Sequence, residues 1–168
     1  MNEVTALVNC SGDVLASASA DGTVRVWDTR TGMTAAEMRG HAGRVNALAV
    51  DRCGCGLYYL ARRCVLWRAA CVTRAVRHAF TLYSGGRDKA VHEWQGATWQ
   101  AGMGDGLVFA GNVLQPSCGD VVLALAAHSE CSGSLVAGSK NGTLQTWRAG
   151  KADGSTSIAH GQINAVQV

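Results

Sequence analysis

The stretch LASASADGTVRVWD, residues 15–28, aligns without a gap with LYSGGRDKAVHEWQ at 82–95 and with LVAGSKNGTLQTWR at 135–148. Each copy holds a leucine, a run of small residues, a polar turn residue and, six positions after that turn residue, a tryptophan. The turn residues are Asp21, Asp88 and Asn141, and the tryptophans are Trp27, Trp94 and Trp147. Self-similarity of this kind indicates a repeat protein.

Each copy has the pattern of a β-hairpin, because short alternating apolar runs flank a polar turn. In the first copy Val24 and Val26 alternate with Thr23 and Arg25, which predicts one buried and one exposed face. Two further segments, 45–50 and 163–168, share the pattern (Val/Ile)-Asn-Ala-(Leu/Val)-x-Val and follow a histidine. We expect each of them to be the first strand of a sheet that a hairpin completes.

A Gly-His opening at Gly40-His41 and a Trp-Asp closing at Trp27-Asp28 are the signature of propeller blades. With these residues the chain resembles the WD-repeat β-propeller family, whose blades are four-stranded antiparallel sheets around a channel. The resemblance covers residues 3–50 and 80–168. It implies an all-β fold, an incomplete β-propeller that carries a basic insertion rich in cysteine and arginine.

The resemblance also implies the blade boundaries. Blade one is expected at about 3–39, blade two at about 40–104 with an insertion at 52–79, blade three at about 120–158, and the first strand of a further blade at 162–168. At roughly 40 residues per blade the chain has at most about four blades, fewer than the family usually closes. We therefore expect a fragment of a longer propeller, whose open blade edges are available for self-association.

The family pattern implies a buried hydrogen-bonded network, and its residues are present to different extents in the three copies. The middle blade has the full set, which is His41, Ser84, Asp88 and Trp94. Blade one has Ser17, Asp21 and Trp27 with no preceding histidine, and blade three has Asn141 and Trp147 with Ala137 in place of the serine. No Gly-x-Ser-x-Gly elbow accompanies these residues, so we interpret them as structural and expect neither an enzyme nor a cofactor.

The insertion at 52–79 contains six arginines, Tyr58, Tyr59 and Trp67, and no acidic residue. It also holds Cys53, Cys55, Cys64 and Cys71, with His78 close behind. Three interpretations stay open: non-homologous sequence, a nucleic-acid-binding loop, and a zinc knuckle. The first is favoured because removing the insertion restores ordinary blade spacing, and no metal site is expected because the second tight ligand pair of a zinc site is missing.

A run of three glycines, Gly102, Gly104 and Gly106, precedes the apolar residues 107–110. A phosphate-binding loop would need a helix after the glycines, whereas these apolar residues have the pattern of a strand. We interpret the run as a turn between two edge strands.

Partner binding is expected on the blade face where the loops before the first strands meet the turns between the second and third strands. The side chains assigned to this face are Arg44, Arg87, Lys89, Lys140 and Gln162. Such a mildly basic surface favours acidic or phosphorylated peptides. Arg25, Arg30 and His92 are expected to be exposed strand or loop residues outside it.

The composition narrows the location and the function class. The longest apolar run is the seven residues 121–127, which excludes a membrane span, and seven irregularly spaced cysteines are typical of reduced thiols in the cytoplasm or nucleus. The leading hypothesis is a non-catalytic protein-interaction scaffold. The alternative is a nucleic-acid-associated module that binds through the insertion at 52–79.

Overall fold

Twelve β-strands and no helix make up the part of the chain that the computed structural model describes, residues 3–51, 80–97, 108–115, 117–128, 134–158 and 161–167. Blade one contains β1 (Val4–Ser11), β2 (Val14–Ser19), β3 (Thr23–Asp28) and β4 (Met33–Arg39). Blade two contains β5 (Val45–Asp51), β6 (Thr81–Gly86), β7 (Val91–Ala97) and β8 (Val108–Val113). Blade three contains β9 (Val122–His128), β10 (Ser134–Ser139), β11 (Thr143–Arg148) and β12 (Lys151–Ser157).

Within each blade the four strands pair antiparallel in the order in which they occur along the chain. The central hairpins share one register, in which Leu15 lies opposite Trp27, Leu82 opposite Trp94 and Leu135 opposite Trp147. Val24 and Val26 of β3 are fully buried, so the predicted buried face of the first hairpin is confirmed. The aligned stretches of sequence are therefore equivalent hairpins of three blades.

The blades pack face to face and spread apart from one edge. The first strands β1, β5 and β9 lie next to one another, whereas the fourth strands β4 and β8 scarcely touch. One apolar core lies between blades one and two and includes Val24, Val26, Leu82 and Trp94. A second core lies between blades two and three and includes Tyr83, Val122, Leu135 and Trp147. This arrangement confirms the all-β, incomplete propeller that was expected.

Burial in the two cores is the main source of stability for this arrangement. The fully buried apolar side chains of leucine and valine size each contribute about 1.5–3 kcal/mol relative to an exposed position. Most of them lie at a joint between two blades rather than inside one sheet, because a single four-stranded sheet has no second layer of its own. The blades consequently stabilise one another.

Two boundaries differ from the expectation. β8 at Val108–Val113 is the fourth strand of blade two, which therefore extends beyond residue 104. Residues 162–167 follow blade three without being assigned as a strand. The insertion at 52–79 and the glycine run at 102–106 lie outside the described residues. In the described part of the chain no helix is long and apolar enough to span a membrane.

Candidate functional site

The four side chains assigned to the blade-two network are in contact. His41 precedes β5, and its Nδ1 lies 2.8 Å from Asp88 Oδ2 while its Nε2 lies 2.8 Å from Ser84 Oγ. The indole Nε1 of Trp94 donates to the same Ser84 Oγ at 2.8 Å. These contacts assign one consistent pattern: Nδ1–H donates to the carboxylate, the Ser84 hydroxyl donates to Nε2, and the serine oxygen accepts from the indole.

The turn between β6 and β7 holds Asp88 in place. Its carboxylate also accepts from the backbone N–H of Ala42 at 3.0 Å and of Ala90 at 3.3 Å. Gly86 keeps the space free, because a Cβ there would lie 2.8 Å from the Arg44 carbonyl oxygen and 3.0 Å from Asp88 Oδ1. The network therefore joins the loop before β5 to the β6–β7 hairpin.

Blade one contains a shorter version of the same arrangement. Trp27 Nε1 donates to Ser17 Oγ at 2.8 Å. Asp21 Oδ1 accepts from the backbone N–H of Thr23 at 2.9 Å and from its hydroxyl at 2.6 Å. Asp21 thus closes its own turn.

Blade three departs from the other two at the tryptophan. Trp147 is 1% exposed, and its indole Nε1 has no hydrogen-bond partner among the described residues. Ala137 occupies the position of Ser17 and Ser84, so the hydroxyl that receives the indole in those blades is replaced by a methyl group. Asn141 Oδ1 instead bonds to Ser139 Oγ at 2.6 Å and accepts from the Thr143 N–H at 3.1 Å.

The blade-two network contains Ser, His and Asp, yet its geometry does not suit nucleophilic catalysis. Ser84 is 0% exposed, and its oxygen already contacts both His41 and Trp94. A nucleophile needs access to a substrate carbonyl beside an oxyanion pocket. The arrangement can fix the register of neighbouring strands and hold a loop, which are structural tasks.

His92 lies in the joint between blades one and two, and the prediction that it is exposed was wrong. It is 6% exposed, its ring centroid lies 4.1 Å from that of His41, and it stacks on Trp94 at 5.3 Å with an interplanar angle of 12°. Burial, which penalises the charged form of the ring, is the largest cause that holds the pKa of His92 below its ordinary value. The alternation of β7 could have indicated this burial, because His92 lies two positions before the buried Trp94 on the same strand face and contacts His41 ahead of β5.

An open groove of about 560 Å³ lies beside His92 between the fourth strands of blades one and two. Its lining includes Met38, Arg39, Trp94 and Val113. His41, Asp88 and His92 also place one potential metal-ligand atom each within 4.8 Å of one another. Both ring nitrogens of His41 are already bonded, to Asp88 and to Ser84, so a metal would have to displace the network.

The residues assigned to partner binding lie at one end of the blades, which we call the loop face. The backbone N–H groups of Ala20, Arg87 and Lys140 donate to the carbonyls of residues that precede the first strands, at 2.9, 2.8 and 2.9 Å. These bonds bring the two kinds of loop together in every blade. Each blade therefore presents its two kinds of loop side by side on the loop face.

The cations of the loop face differ in their electrostatic partners. Arg44 forms a two-pronged ion pair with Glu3, at 2.8 and 3.0 Å, which lowers the pKa of Glu3. Arg87, Lys89 and Lys140 are exposed and form no ion pair within the described part of the chain. Gln162 is also exposed. The pairing of Arg44 was not foreseen, since Glu3 belongs to another blade.

Lys89 occupies an unusual backbone conformation on this face. Its φ is 66°, whereas the equivalent turn positions are Gly22 with φ 84° and Gly142 with φ 82°. Left-handed φ values are costly for residues that have a Cβ. Lys89 therefore places a cation at the turn position where the other two hairpins have glycine, the residue that a left-handed φ favours.

The chain is similar to known proteins in both sequence and fold. The family model "WD domain, G-beta repeat" matches residues 2–28. The WD repeat-containing protein pop1 of Schizosaccharomyces pombe is 48% identical over 44 residues, which are 26% of this chain and 6% of that protein.

The basic insertion, with its zinc and nucleic-acid interpretations, lies outside the described residues.

Solved structures resemble the whole chain. The structure of U3-55K superposes with a TM-score of 0.68 at 15% identity, and that of the RRP9 WD40 repeats with 0.68 at 16% identity. Each comparison covers 99% of this chain and 42% of the other. A chain of the Mitotic Checkpoint Complex gives 0.64 at 18% identity over 97% of this chain. At such identities the likeness shows the fold, and with the repeat match it confirms the resemblance to WD-repeat propellers.

Proposed function

We propose that these WD-type propeller blades are a non-catalytic scaffold that binds acidic or phosphorylated segments of other proteins on the loop face. The observation that carries the proposal is the contrast among the cations. Every described arginine except Arg87 lies within 4.0 Å of a carboxylate, and those paired residues are Arg25, Arg30, Arg39, Arg44 and Arg148. Arg87, Lys89 and Lys140 form no ion pair among the described residues, and their charges are available for a partner.

The positions of these cations support a shared binding surface. Arg87 and Lys140 are equivalent residues of adjacent blades, each the first residue of the turn between the second and third strands. Arginine pairs with carboxylates and phosphates through two parallel hydrogen bonds, and lysine adds a point charge. Lys89 adds a further exposed cation to this surface, at a left-handed φ of 66° that costs the turn backbone free energy.

A non-catalytic role is part of the proposal. Ser84, the serine that lies beside a histidine and an aspartate, is fully buried and hydrogen-bonded to both His41 and Trp94. A scaffold role is also what resemblance to WD-repeat propellers implies, although a fold by itself does not specify a function. We place the scaffold in the cytoplasm or nucleus on the irregular spacing of its cysteines.

A binding experiment tests the loop face. The probes are a fluorescein-labelled peptide rich in glutamate, the same peptide with two phosphoserines, and a neutral version with glutamine and serine. We expect the purified chain to bind the two anionic peptides and not the neutral one, with affinity that falls as salt is raised, because the contacts are exposed charge pairs. The double variant Arg87→Glu/Lys140→Glu should weaken binding by about tenfold or more.

Lys151→Glu is the matched control. Lys151 is an exposed lysine with no ion pair within the described residues, and it is the first residue of β12, at the opposite end of blade three. It should change the affinity by less than about twofold, as expected for a distant surface charge. The double variant reverses two charges and the control one, so a control loss of about half the double variant's loss in binding free energy would mean that only net charge attracts the peptide. Absence of binding to either anionic peptide would refute the proposal.

A further inference from the structure

The joint between blades two and three is built around a glycine. Val122 and Leu125, three positions apart on β9, pack over Gly85 of β6. A Cβ on Gly85 would lie 2.5 Å from Val122 Cγ1 and 3.2 Å from Leu125 Cδ1. The second strand of blade two thus has a notch that accepts two apolar side chains from the next first strand.

Blade three has the same notch at Gly138, which is equivalent to Gly85 in the aligned repeats. A Cβ on Gly138 would lie 2.6 Å from Ile163 Cγ2 and 3.1 Å from Val166 Cγ2. The Ile163 N–H also donates to the Ser139 carbonyl at 3.1 Å. The segment 161–167, which we call the tail, therefore covers blade three as β9 covers blade two, without the strand pairing that anchors β9.

Blade one presents the matching pair of apolar side chains, and no described residue covers them. Val4 and Leu7 stand at the positions of β1 that Val122 and Leu125 have in β9, and they are 57% and 63% exposed. The equivalent Val45 of β5 is fully buried. In blades two and three this face of the first strand is buried against the preceding blade, whereas in blade one it is exposed.

One hydrogen bond that holds neighbouring first strands together has no counterpart at the tail. Thr5 Oγ1 donates to the Val45 carbonyl at 2.6 Å, and Asn46 Nδ2 donates to the Val122 carbonyl at 2.9 Å. The equivalent residue of β9 is Leu123, whose side chain has no donor. The tail therefore lacks the side-chain hydrogen bond that a first strand receives from the preceding first strand at the other two joints.

We propose that the notch at Gly138 is a self-association site, for which Val4 and Leu7 of a second copy compete with Ile163 and Val166 of the tail. A second copy fits because the same contact between equivalent residues already occurs at both joints within the chain. The two faces differ, so the association is head-to-tail and can extend to further copies. The tail is attached to the same chain at an effective concentration on the order of millimolar, and it blocks the site at low protein concentration.

Substitutions in the full chain test this competition. Ile163→Asp/Val166→Asp should release the tail, and light scattering on a sizing column should then show species above the 17.5 kDa of one chain. Association should begin at a concentration about tenfold or more below that of the unaltered chain. Adding Leu7→Asp should return the mass to one chain. Because Ile163 and Val166 are partly exposed, both aspartates should be tolerated, and the serine pair is a milder equivalent.

A mixing experiment separates specific association from misfolding. The first chain has the released tail with Leu7→Asp, which leaves only the notch active, and the second has Gly138→Val, which leaves only the blade-one face active. Each alone should have the mass of one chain, and an equimolar mixture should form a 1:1 complex of about 35 kDa, twice the 17.5 kDa of one chain. Mixtures that stay at one chain mass, or aggregation that Leu7→Asp does not prevent, would overturn the proposal.

Discussion

Ala137→Ser should stabilise the protein, because it gives the buried indole of Trp147 a hydrogen-bond acceptor. In blades one and two the equivalent serines accept from the tryptophan Nε1 at 2.8 Å in both cases. Ala137 stands at that position in blade three, and Trp147 Nε1 has no partner among the described residues. Ser84 is as fully buried as Ala137, so the added hydroxyl should fit without repacking.

The expected magnitude follows from the balance of two effects. A buried donor without a partner costs about 1–3 kcal/mol, and a new hydrogen bond contributes about 0.5–1.5 kcal/mol net. Part of this gain is offset by the free-energy cost of burying the serine hydroxyl. We expect the free energy of unfolding to rise by about 1 kcal/mol, which raises the melting temperature by about 2–4 °C in a chain of this length.

Urea and thermal unfolding of the purified variant measure this change. Ala16→Ser is the matched control, because Ala16 is fully buried on the second strand of blade one. Ala16→Ser should lose about 1–3 kcal/mol, since its hydroxyl would be buried among apolar side chains. An Ala137→Ser variant with unchanged or lower stability would refute the reasoning. The indole N–H of Trp147 should also exchange more slowly with solvent in the variant.

Three further predictions concern the joints and the blade-two network. Asp88→Ala should lower the free energy of unfolding by about 2–4 kcal/mol, because it leaves His41 Nδ1 without its hydrogen-bond partner. If urea unfolding gives a decrease below about half a kcal/mol, the network contributes little to stability. The pKa of His92 in the folded state is lowered from 6.5, so the unfolded state binds more protons as the pH falls through that value. The free energy of unfolding should therefore fall as the pH drops below about 6.5. His92→Gln should flatten this dependence when unfolding is measured from pH 7.5 to 5. Gly85→Val should lower the free energy of unfolding by about 1–3 kcal/mol, because the added side chain would overpack against Val122. Gly32→Ala is a contrasting variant, because its methyl group would lie in open space and only the φ of 71° would be strained. Equal melting temperatures for Gly85→Val and the unaltered chain would contradict the described joint.

Much of the fold could be predicted because it depends on short-range patterns. The alternation of Val24 and Val26 and the turn residues of the three copies indicate hairpins, and the structure has hairpins there. The apolar residues 107–110 indicate a strand that overlaps β8, although the end of blade two at Val113 was missed. The burial of His92 was mispredicted: it stacks on Trp94 of its own strand, and its contact with His41 ahead of β5 forms only in the folded blade.

The candidate site was also predicted in part from the sequence. The resemblance identified the side chains of the blade-two network, and the structure places them within hydrogen-bond distance of one another. Nothing local indicated that Glu3 neutralises Arg44 while Arg87 forms no ion pair among the described residues. The pattern of residues 163–168 predicted a first strand next to blade three, but its contact with Gly138 depends on how the two segments pack.

By itself the sequence determined the repeat, the hairpins, the all-β class and the residue types available to each blade, since these depend on neighbours a few positions apart. Only the tertiary structure decided which cations are free, which polar groups are buried with or without partners, and which face of each blade is covered. Those properties arise at joints between segments distant in the chain, where burial and charge pairing are set by the surface that packs opposite.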